Sequence, residues 1–159
     1  MTARDLDLID DIRAASRLMV RELGFMEATL AATDHPPSAV HTILEIGIRG
    51  PMTAGEIARF LHLEKSSVSR LVRKLIESGE LTEMSDADDA RFKPLALTTK
   101  GRRTLAALHA FGRGQVAGAL ERLTEAERRT VRDGLMLYAR ALQADRADGV
   151  RASQAETSS

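Results

Sequence analysis

Apolar residues at Leu8, Ile12, Ala15, Met19, Leu23, Met26 and Leu30 recur at spacings of three and four, which is the period of one helix face. The stripe predicts a helix from about residue 5 to 30, ~38 Å long at ~1.5 Å per residue. A helix of that length cannot bury its stripe within one small domain. Asp34-His-Pro-Pro-Ser38 breaks the pattern and reopens it, since proline is tolerated in a helix's first turn. A second helix over about 37–49 closes at Gly50-Pro51.

Next comes Met52-Thr-Ala-Gly-Glu-Ile57. Thr53 and Glu56 have capping-box spacing, and Met52 with Ile57 sits where a hydrophobic staple would. The helix they open reaches about Leu61. After the turn His62-Leu-Glu64, a further helix spans about 65–78 and stops at Gly79. Residues 80–98 read as two short strand-like arms around an Asp-rich turn, a β-hairpin, with Pro94 confining its strand to an edge or bulge. Thr98 caps a helix of about 99–121 that Gly112, Gly114 and Gly118 weaken. Thr124 and Glu127 form a second capping box, opening a helix with Val131, Leu135, Tyr138 and Leu142 on one face. Beyond about Asp145 the composition turns polar, and Ala152–Ser159 is expected to be a disordered tail.

The 159-residue chain is 43% hydrophobic and 29% charged, as an ordinary soluble domain is, but only 3% aromatic. A core of Leu, Ile, Val, Met and Ala favours helices. No apolar run approaches the ~20 residues of a membrane span, and the N-terminus lacks a signal peptide's basic-then-apolar order, so a cytoplasmic location is expected. The absence of cysteine excludes a thiol switch and thiolate metal ligands. Net charge is zero, yet unevenly spread. Residues 1–48 carry four basic and eight acidic side chains, whereas residues 49–103 carry eleven and eight. Only the middle is suited to phosphate.

That middle contains the candidate chemistry. Two helices joined by a short turn over 53–79 make a helix-turn-helix. In the second, Val68, Leu71, Val72, Leu75 and Ile76 form an apolar stripe. The opposite face offers Ser66, Ser67, Ser69, Arg70, Arg73 and Lys74. Small hydroxyl side chains let a helix approach the major groove, and Arg70 is long enough for a bidentate contact to guanine. Arg73 and Lys74, with the helix N-terminus, suit phosphate. Thr53 and Lys65, at the two helix openings, complete the set. Arg91 and Lys93 of the hairpin would enter the adjacent minor groove.

These residues resemble the MarR (multiple antibiotic resistance regulator) family of bacterial winged-helix transcription factors. The likeness covers about residues 5–145. It rests on Thr53-Ala-Gly-Glu-Ile-Ala58, on Ser66-Ser-Val-Ser-Arg-Leu-Val-Arg-Lys-Leu75 followed by Gly79, and on a wing with Asp89-Ala90-Arg91 and Leu97-Thr98-Thr99-Lys100-Gly101. Ala90, Glu83 and Pro94 depart from the family's wing. The resemblance implies a mainly α fold with a small β-wing: six helices plus a two- to three-stranded hairpin. It implies an N-terminal dimerisation helix at 5–35, a winged helix-turn-helix at 36–100, C-terminal dimerisation helices at 101–146 and a tail at 147–159. It also implies a homodimer that represses transcription from double-stranded DNA, with half-sites ~34 Å apart. A phenolic or amphipathic acid would be the effector, in a pocket to which Met26, His41 and His109 are assigned.

The remaining features weigh little. His41 and His109 lack the paired-histidine spacing with which some relatives bind zinc, so no metal or cofactor is expected. The Asp86, Asp88, Asp89 cluster lacks the spacing of a calcium loop and reads as an exposed turn. No phosphate loop or nucleophile elbow points to an enzyme. The alternative to DNA reading is a protein-interaction module whose helix-turn-helix does not bind DNA.

Overall fold

The structure is a computed structural model and describes residues 2–27, 29, 31, 33–84 and 93–157. Its elements in chain order are α1 (Ala3–Glu22), α2 (Pro37–Arg49), α3 (Ala54–Leu61), α4 (Lys65–Glu77), β1 (Leu81–Glu83), β2 (Leu95–Leu97), α5 (Thr99–Leu120) and α6 (Glu125–Thr157). Among the described residues these are six helices and one antiparallel hairpin, the expected composition. The strands pair Leu81 with Leu97 and Glu83 with Leu95. Among the described residues, a single bridge from Met52 to Leu95 stands where a third strand would.

Two compact units divide the chain, residues 1–113 and 114–159. The core of the first is assembled from every element between α2 and α5. Val40, Ile43 and Ile46 of α2 meet Ile57 of α3, Val68, Leu71 and Leu75 of α4, Leu81 and Leu95 of the hairpin, and Leu108 of α5. Met52 and Ile57 are both buried, as the staple requires. Thr53 caps α3 in a full capping box: its hydroxyl accepts the Glu56 N–H, and the Glu56 carboxylate accepts the Thr53 N–H at 2.7 Å. In the second unit Thr124 and Glu127 repeat the device at the start of α6. The Arg128 guanidinium donates to the carbonyls of Leu120 and Leu123, closing the end of α5.

The first helix is shorter than its stripe predicts. It begins two residues earlier, at Ala3 on a Thr2–Asp5 capping box, and ends at Glu22 instead of near 30. Gly24 takes a left-handed φ of +78°. Its N–H bonds the Arg21 carbonyl while the Phe25 N–H reaches back to Val20, a Schellman stop. Met26 therefore lies in a turn, and Leu30 lies outside the described residues. At the other end α6 continues to Thr157, past the end expected near 146, over a stretch with several alanines and other good helix formers. Gly112, Gly114 and Gly118 do not interrupt α5.

One junction is sterically exacting. Gly101, in the first turn of α5, packs so closely on the end of α4 that an added Cβ would collide with the Glu80 carbonyl oxygen. Backbone cannot move aside as a flexible side chain can. Gly101→Ala is therefore expected to destabilise the fold by roughly 2–3 kcal/mol, measured by urea unfolding; a change under about 0.5 kcal/mol would contradict the close contact. The caps make a second expectation. The backbone N–H of Thr53, then its hydroxyl, holds the Glu56 carboxyl below its ordinary range. A depressed folded value means the stabilisation is present above the unfolded value and is lost as pH falls through the folded one. Thr53→Ala should cost about 1 kcal/mol at pH 7, and this difference should shrink in unfolding curves taken from pH 5 to pH 3.

Candidate nucleic-acid interface

Burial divides α4 into two faces. Val68, Leu71 and Leu75 are buried against the core, while Ser66, Ser69, Arg70, Arg73 and Lys74 are exposed. The division follows from the 3.6-residue period acting on an alternation of apolar and basic or hydroxyl side chains. The turn before it is tight: His62 closes α3 with a left-handed φ of +54°, and its N–H bonds Ala58.

Unlike α1, α3 and α6, the α4 helix has no side chain capping its first turn; Glu64 stands at the N-cap and makes no cap hydrogen bond. Its C-terminus is closed tightly. Gly79, at φ +74°, and Glu80 return their N–H groups to Ile76 and Leu75 in a Schellman motif. The exposed face is also internally ordered. Arg70 donates to the Ser67 hydroxyl at 3.3 Å, and the Ser69 hydroxyl donates to the Lys65 carbonyl at 2.9 Å.

The structure thus brings Lys65, Ser66, Ser69, Arg70, Arg73 and Lys74 onto one helix with exposed side chains, and leaves Ser67 half-buried. Thr53 stands apart from this face in its role. Its hydroxyl donates to Glu56 Oε2 at 2.9 Å, so its one donor is committed to the cap. Lys93, at the base of the hairpin, is ion-paired to Glu83 at 3.0 Å. Arg91 lies outside the described residues, as do Asp86, Asp88, Asp89 and Ala90. Of the residues assigned to an effector, His41 stacks on Phe25 with ring centroids 5.7 Å apart. Met26, next in sequence, is 74% exposed, and His109 is half-buried on α5.

Periodicity missed one residue of this region. Glu80 is 1% exposed, although its sequence neighbours gave it no role. The available signal was its place directly after the helix-ending Gly79, a position that a Schellman motif commonly fills with an apolar side chain.

Residues 33–91 match the model of the MarR family, which covers α2, the helix-turn-helix and the first strand. No curated protein sequence matches the chain. Among solved structures, the chain is similar to FabT of Streptococcus pneumoniae in complex with DNA, at 21% identity and a TM-score of 0.73, covering 86% of this chain and 97% of that one. RV1404 of Mycobacterium tuberculosis gives 22% identity and a TM-score of 0.71, with 89% and 95% covered. MepR, a transcription regulator of the Staphylococcus aureus multidrug efflux pump MepA, gives 22% and 0.66, with 89% and 99% covered. The fold is that of the winged-helix MarR regulators.

The Glu83–Lys93 pair supplies a test of the hairpin. Glu83→Ala frees the lysine and removes a negative charge beside it. If the hairpin meets duplex DNA, binding followed by fluorescence anisotropy is expected to tighten by roughly three- to tenfold at low salt and to lose that gain as salt rises. Unchanged affinity would place the hairpin base away from phosphate.

Proposed function

We propose that this chain, which matches the MarR family over residues 33–91, is a DNA-binding transcriptional regulator. It acts as a homodimer on a pseudo-palindromic operator and represses transcription until a small-molecule effector releases it. The exposed face of α4 carries this reading: two hydroxyls, two arginines and two lysines stand over a buried apolar stripe. Arg70 reads a base edge, Ser66 and Ser69 permit close approach, and Lys65, Arg73 and Lys74 meet phosphate. The uncapped first turn of α4 suits a phosphate oxygen, and Arg91 and Lys93 extend the contact through the wing. That the similar FabT forms a complex with DNA supports the assignment.

Exposed apolar side chains support the homodimer. Leu8, Ile9, Ile12, Leu18 and Met19 of α1 are all exposed, as are Val131, Leu135, Met136, Leu137 and Tyr138 of α6. Stripes of this extent on a single chain point to a partner surface, and a second copy supplies the same stripes. For the effector, a phenolic or amphipathic acid beside Phe25, Met26 and His41 remains the reading, with His109 as a further candidate.

The test joins sequence selection to salt dependence. Fragments selected from the source genome should bind with affinity that falls steeply as salt rises, in proportion to the phosphates contacted. Arg70→Ala should weaken binding by about 1–3 kcal/mol and relax the preference at one base position. An unchanged preference would remove Arg70 from base reading. Sedimentation should give twice the 17.3 kDa chain mass.

A further inference from the structure

We propose that a cavity bordered by α2, α4 and α5 binds a protonated organic amine or amidine, anchored on the carboxylate of Glu80. The cavity measures about 590 Å³, within the range of small-molecule sites. Pro36, Ala39, Leu71 and Leu75 give it apolar walls, and His35, Glu80, Lys100 and Thr104 add polar groups. None of Met26, His41 or His109 lines it.

Glu80 is what gives the cavity a chemistry. Its side chain is 2% exposed. Oε1 faces His35 Nε2 at 3.3 Å and Lys100 Nζ at 3.4 Å, both long contacts. Oε2 is buried and has no hydrogen-bond partner among the described residues. A buried carboxylate oxygen without a donor is costly. A ligand head with two N–H donors and a positive charge meets that need in the strongest way available, through charge-assisted hydrogen bonds. The apolar walls then take the body of the ligand.

The charges around the cavity favour a cation over an acid. Lys100 is already engaged, since its ammonium also donates to the Ser78 carbonyl at 2.7 Å. Lys74 is exposed, where solvent and salt screen it. Asp34, also on the lining, is exposed and screened in the same way, which leaves the buried Glu80 carboxylate as the charge that decides. An organic acid would set its charge against the buried one. A bare metal ion is also poorly served, because no group of three metal-ligating side chains occurs among the described residues. To admit the head group, the exposed Lys100 side chain must leave both Glu80 Oε1, at 3.4 Å, and the Ser78 carbonyl, at 2.7 Å. Leu71, Lys74 and Leu75 belong to α4, so an occupant bears directly on the helix that carries Arg70.

Benzamidine and benzoate, two planar aryl ligands of nearly the same shape and opposite charge, test the site in the full chain without DNA. The outcome is therefore independent of whether α4 reads DNA. Isothermal titration calorimetry at pH 7 is expected to give saturable binding of one benzamidine per chain, with benzoate at least tenfold weaker. Glu80→Gln should lower benzamidine affinity at least tenfold. Ala107→Phe, on the cavity lining, should do so by occupying the space while leaving Glu80 untouched, and circular dichroism checks that both variants fold. Benzoate binding as tightly as benzamidine, no saturation at millimolar benzamidine, or unchanged affinity in either folded variant would overturn the proposal.

Discussion

The hydroxyl of Thr98 donates to the Gly79 carbonyl at 2.5 Å and accepts the Gly101 N–H at 3.0 Å, while the Thr98 amide donates to the carbonyl of Glu80. Three elements are tied at this point: the end of α4, the return strand of the hairpin and the start of α5. Gly101 has no side chain because the Glu80 backbone occupies that space. The hairpin leaves α4 and re-enters α5 through the same few ångströms. The two strands at the base of the hairpin are thus fixed against the ends of α4 and α5 by the Thr98 hydroxyl and by close backbone contacts.

From that junction the rest of the first unit follows. Leu81 and Leu95 are drawn into the core beside Leu75, and Met52 exchanges both backbone hydrogen bonds with Leu95, fastening the start of the helix-turn-helix to the wing. The buried stripe of α4 is then fixed from below and from its C-terminal end. Its polar face turns outward because no other face of the helix is free to do so.

Much of this was legible in the sequence because it depends on local rules. The Thr53–Glu56 and Thr124–Glu127 boxes, the Met52–Ile57 staple and the Thr98 cap each involve residues within a few positions of one another. The faces of α4 follow from the helical period. The end of α1 was not legible from the stripe, because Leu23 and Met26 keep the period while Gly24 between them ends the helix. The Thr2–Asp5 box lies before the stripe begins. Glu80 escaped because periodicity assigns faces, and a carboxylate at one deeply buried position has meaning only once His35 and Lys100 arrive from distant parts of the chain. The pairing of Glu83 with Lys93 is likewise a cross-strand contact that needs the register of the hairpin.

The open first turn of α4 carries a consequence for how such a protein can be improved. A serine or aspartate at the position of Glu64 would cap the helix and, by the usual measure, add about 1 kcal/mol of stability. It would also give a local acceptor to the amides that a phosphate oxygen would otherwise meet. If the proposed phosphate contact is made there, the same opening is a place where stability and binding pull against each other.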